Sequence, residues 1–96
     1  MEALQFETEF INLWAETGAY RLVVRTEISK LMRRLGVDLV DIHHVLKNGS
    51  VTRSDMIEDR GLWDVSGTTE GTEMTVCIAV DSKTNEVEIL DLVKGS

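Results

Sequence analysis

The apolar residues of this chain change their period once, at Gly49-Ser50, and that change restricts the fold more than any other feature. Before it, apolar side chains recur at three- and four-residue steps, the spacing of a helix face. Phe6, Phe10, Leu13, Trp14 and Thr17 make one such stripe. They predict a helix from about Glu2 to Thr17, closed by Gly18 in a left-handed cap. Ile28, Leu31, Met32 and Leu35 predict a second helix over 27–35, capped by Thr26 and ended by Gly36. Leu39, Ile42, Val45 and Leu46 predict a third, capped by Asp38 and stopped at Gly49. Tyr20 to Arg25 reads as a strand or an extended lead-in, because Leu22-Val23-Val24 favours extended backbone.

After Ser50 the period is two. Four strands are predicted: 50–57, 62–67, 73–81 and 86–94. The third has Met74, Val76, Ile78 and Val80 on one face, with the small apolar Cys77 and Ala79 on the other, as suits a central strand. Turns are expected at Glu58-Asp59-Arg60-Gly61, over Thr68–Thr72, and at Ser82–Asn85, where Asn85 tolerates a left-handed backbone. Helices first and strands afterwards imply an α+β domain, with N-terminal helices packed on one face of a four-stranded antiparallel meander. At 96 residues there is room for one core. The parts of that single domain, 1–96, are a first helix (1–19), a helical part (20–49) and a sheet (50–94).

Charge narrows the functions. Seventeen acids against ten bases give a net −7. Such a chain is a poor generic binder of nucleic acid or anionic membranes. The charge is uneven: residues 1–20 carry four acids and no base, while residues 21–60 carry eight bases and six acids. An anionic ligand would therefore meet the middle third. The chain has no long apolar run and no leader pattern, so the expected location is the cytoplasm. One cysteine makes neither an internal disulfide nor a thiolate metal cage.

A helix carrying Met32 is followed by Leu35-Gly36-Val37, then by a second helix ending Val45-Leu46-Lys47-Asn48-Gly49-Ser50-Val51. A glycine near the end of a strand (Gly67), a Val-rich strand (Met74–Val80) and a final strand (Val87–Val93) come next. In these motifs the segment from residue 20 to 94 resembles a widespread bacterial domain-of-unknown-function family related in fold to the RelE-like ribonuclease toxins. The resemblance implies a RelE-like fold and a toxin-antitoxin context. Members carry histidine at the start of the first motif helix and arginines further along it. Here those positions hold Glu27, Leu31 and Leu35, which argues against an inherited nuclease.

RNA cleavage through the 2′-hydroxyl needs a base, an acid and cations around the phosphate. The candidate cations are Arg21, Arg25, Lys30, Arg33, Arg34, Arg53 and Arg60. The candidate proton carriers are Glu27, His43 and His44. A retained activity of this kind would be metal-independent. Adjacent helix residues point about 100° apart, so His43 and His44 do not make a joint metal site, and no metal or other cofactor is implied. Cys77, Trp14 and Trp63 read as structural. Leu35-Gly36-Val37 with Ile42, Leu46 and Gly49 also resembles a helix-turn-helix, but Asp38 and Asp41 would set two acids against DNA. The expected function is a non-catalytic protein-binding or regulatory module, with a protein partner or self-association. A toxin-like ribonuclease is the first alternative and a DNA binder the second. The module would show an apolar, uncharged sheet face, carrying Cys77, Ala79, Leu90 and Leu92; the ribonuclease would show a positive concavity.

Overall fold

The computed structural model describes residues 4–95. In chain order it contains α1 (Gln5–Thr17), β1 (Arg21–Val23), α2 (Thr26–Leu35), α3 (Leu39–Asn48), β2 (Ser50–Ile57), β3 (Arg60–Thr69), β4 (Thr72–Asp81) and β5 (Glu86–Lys94). The predicted start of the first helix, at Glu2, lies outside the described residues. The fold is α+β, and the change of period at Gly49 is the boundary between α3 and the meander.

The sheet differs from the expectation in size and direction. It has five strands in the order β1-β5-β4-β3-β2, and β1 runs parallel to β5. Of the two readings of Tyr20–Arg25 the strand holds, as β1, so the part named helical, 20–49, also contributes to the sheet. Parallel neighbours need a long crossover, and here α2, α3 and the meander supply it. Arg21 N donates to Asn85 O at 2.7 Å, seating β1 as β5 begins.

All three helices pack on one side of the sheet. Their buried residues Ile28, Met32, Ile42, Val45 and Leu46 meet Met74, Val76, Ile78 and Val80 of β4 in one core. Asp38 caps α3 as expected: its carboxylate accepts from Asp41 N, and Asp41 returns a carboxylate to Asp38 N. Gly18 and Gly36 take the left-handed conformation at the ends of α1 and α2. Thr26 is the first residue of α2 and not its cap.

Three local readings are corrected. In α1 the side chains driven into the core are Ile11 and Ala15, whereas Phe6 and Leu13 are exposed. Polar anchors set that rotation. Thr8 Oγ1 accepts from Val51 N at 2.8 Å, and Asn12 Nδ2 donates to Leu46 O and Gly49 O at 2.8 and 3.2 Å. In β5 the pairing with β4 slips between Cys77 and Ile78, so Ile89 faces Ile78 and Asp91 faces Cys77. Leu90 is the extra residue of that bulge, and Leu92 turns inward opposite Val76. The turn expected over Thr68–Thr72 is shorter: β3 and β4 continue to a two-residue link, Glu70-Gly71, both at positive φ.

Candidate functional site

The sheet face turned away from the helices is charged, not apolar as expected of a binding module. Its charges are of both signs, and its arginines are paired. Glu88, only 8% exposed, receives Arg25 Nε at 2.7 Å and an Arg60 terminal nitrogen at 2.9 Å. Those hydrogen bonds hold the Glu88 carboxyl below the usual glutamate range and raise Arg25. Arg53 Nε lies 3.3 Å from Asp64, and Arg21 is paired with Glu86. Ala79 is buried between Leu62 and Glu88 in cross-strand register. Cys77 sits between Asp64 and Asp91. Burial first, then hydrogen bonding to Asp64, pushes its thiol up to about 11, so it stays protonated and unreactive at neutral pH.

Four of the seven candidate cations are thus neutralised by carboxylates of the same chain. The other three, Lys30, Arg33 and Arg34, are exposed on α2, with no acid within ion-pair distance among the described residues. Arg33 borders an open cavity of about 380 Å³ between α2 and the start of α3, lined also by Val24, Met32, Val37 and Leu39.

The candidate proton carriers are scattered. Glu27 is exposed in the first turn of α2. His43 Nδ1 lies 3.5 Å from Tyr20 Oη, and His44 lies beside Asn48 on the outer side of α3. None of the three shares a hydrogen bond with a candidate cation among the described residues. No group of three metal-ligating side chains occurs among them either, and no helix of the described chain is long and apolar enough to cross a membrane.

The concave surface with a defined chemistry lies elsewhere, between α1 and the β2–β3 hairpin. It encloses about 360 Å³. Phe6, Phe10, Met56, Trp63 and Val80 make its apolar walls, and Glu7 and Asp59 contribute carboxylates. The aromatic residues are organised: Phe10 meets Trp63 edge to face at 5.8 Å, and Phe6 and Trp14 flank Phe10 at 6.2 and 4.6 Å. Trp63 belongs to the buried core, and Trp14 packs against it. Phe6 is 73% exposed and Met56 68%, so the groove has an open apolar lip. Arginine and lysine are absent from its lining.

This groove was missed in the sequence because Phe6 and Phe10 fit the apolar stripe of a core-facing helix. The available signal was a competing stripe, Thr8-Ile11-Asn12-Ala15, with smaller residues that let α1 approach α3 and β2. No protein-family model, curated protein or solved structure matches the chain.

Proposed function

We propose that the chain is a non-catalytic protein-binding module of the cytoplasm, on a RelE-like fold, which takes an apolar segment bearing basic residues. One observation carries the reading: the open groove is aromatic and acidic, while the sheet arginines are tied to carboxylates of the same chain. Apolar walls provide the driving force for a partner side chain. Glu7 and Asp59, with the base-free charge of the first twenty residues, favour a cationic neighbour and oppose an anionic one. Support for the RelE-like part comes from the element order after residue 20: a short strand, two helices, then the meander, with Gly67 near the end of β3.

A second reading keeps one observation of its own. Lys30, Arg33 and Arg34 have no in-chain acid partner among the described residues, as an RNA-facing helix would require. Incubating RNA with purified protein separates the two readings. Wild type is run beside Arg33→Ala/Arg34→Ala and beside the same variant with Arg53→Ala and Arg60→Ala added. No cleavage above the buffer control is expected from any of them. Cleavage by wild type that falls at least tenfold in the double variant, whose changes are on an exposed helix surface, overturns the proposal in favour of a ribonuclease.

A further inference from the structure

The two edges of the sheet are unequal. β1 has three residues, whereas β2 has eight. The start of β2 is covered on its outer side, where Leu4 N donates to Val51 O at 2.9 Å and Thr8 holds Val51 N. From Arg53 to Ile57 no such cover exists among the described residues. Alternate N–H and C=O groups of a strand point to opposite neighbours, and here one neighbour is missing. Edges are ordinarily protected by charged side chains, proline or a bulge. Beyond the irregularity between Val51 and Arg53, this stretch has no proline, and its two charges are of opposite sign.

What it has instead is a self-complementary charge pattern, Arg53-Ser54-Asp55. Arg53 and Asp55 are two residues apart and so share a face, the one away from the helices. Asp55 is exposed and has no cationic partner among the described residues. When two such strands pair antiparallel about a two-fold axis at Ser54, Arg53 of one copy lies opposite Asp55 of the partner subunit, and the converse holds. Moving the axis to Arg53 or to Asp55 opposes like charges. A one-residue slip sets each strand's faces against the wrong side of the other sheet. One register therefore satisfies both charges and faces. Exposed apolar surface gathers at the same edge: Met56, Ile57 (58% exposed) and Phe6.

We infer that the chain forms a symmetric dimer by antiparallel pairing of β2 with β2, centred on Ser54, which joins two five-stranded sheets into one of ten strands. Two ion pairs, Arg53 to Asp55 of the partner subunit and its symmetry mate, set the register. The inference stands on the backbone and charges of β2 and not on the groove's ligand, although Ser54, Met56 and Phe6 border both surfaces.

Sedimentation equilibrium at graded protein concentrations tests it. Wild type is expected at twice the 10.8 kDa chain mass. Arg53→Asp and Asp55→Arg each replace two opposite-charge pairs by two like-charge pairs and are expected to weaken the dimer at least tenfold. Mixing the two variants, or combining both changes in one chain, is expected to restore it. A monomeric wild type, single variants that stay as dimeric as wild type, or a mixture that fails to recover each overturns the inference. Should Arg53→Asp not fold, because it loses Asp64, the Asp55→Arg variant, which keeps that pair, carries the test alone: a dimer as tight as wild type overturns the inference.

Discussion

Gly49→Ala is expected to lower stability by about 3 kcal/mol, toward the upper end of overpacking costs. The reason is space and not backbone freedom. Gly49 is extended, with φ −83° and ψ −176°, a conformation that any residue adopts. A Cβ there would lie 2.5 Å from Val45 O and 2.6 Å from Ser66 O, both main-chain atoms of packed elements. Gly67 backs onto the same point, since its own Cβ would meet Gly49 Cα at 3.2 Å. This is where α3 passes into β2 against β3, and Asn12 binds the Gly49 carbonyl from α1. Relief would require moving the helix off the sheet. Gly18→Ala is the informative comparison. Gly18 has φ +67° and open space around its Cβ position, so its cost is confined to the left-handed conformation, about 1 kcal/mol. Urea midpoints of the two variants measure the difference. A Gly49→Ala midpoint within error of wild type would contradict the close approach of α3 to β3.

The second large effect is at Glu88. Glu88→Gln is expected to cost roughly 1–2 kcal/mol near neutral pH, held to that range because both guanidiniums remain in contact with water. The pH dependence carries the sign. Hydrogen bonds from Arg25 and Arg60 place the folded carboxyl below its unfolded value. Stability from this group is therefore complete above the unfolded value, about 4.3, and is lost as pH falls through the folded one. Wild type and Glu88→Gln should differ most at pH 6–7 and converge toward pH 3 in urea unfolding. A difference independent of pH would show that the arginines do not recognise the ionised form.

Much of the fold could be read from local pattern because local physics decides it. The change of period at Gly49, the Asp38 cap with Asp41 three residues on, and Asn85 at φ 57° each need only a few neighbouring residues. What escaped depends on partners distant in sequence. Tyr20–Arg25 reads as strand or lead-in, but not as the fifth strand of the sheet, because its hydrogen-bonding partner begins at Glu86. Leu90 and Leu92, expected on one face, are parted by a one-residue bulge that no alternation predicts, and only Leu92 turns inward. The rotation of α1 is set by Thr8 and Asn12 binding the Leu46–Val51 turn, so Phe6 is left outside. The site was hidden for the same reason. The bases of the middle third are evident in the sequence, but the acid that joins Arg25 to Arg60 lies 63 and 28 residues away. A basic stretch thereby becomes a neutral network. Lys30, Arg33 and Arg34 are exposed on α2, whose buried side carries Ile28 and Met32.

The most direct measurement is a titration of the groove with a helical peptide of leucine and lysine and with its counterpart of leucine and glutamate. Tryptophan fluorescence follows binding, since Trp63 lines the groove. The lysine peptide is expected to bind at least tenfold more tightly than the glutamate peptide. Its affinity should fall with added salt and be lost in Phe6→Ser, an exposed position whose change leaves the core intact. Equal binding of the two peptides, or an unchanged affinity in Phe6→Ser, would contradict a groove built for an apolar, basic partner.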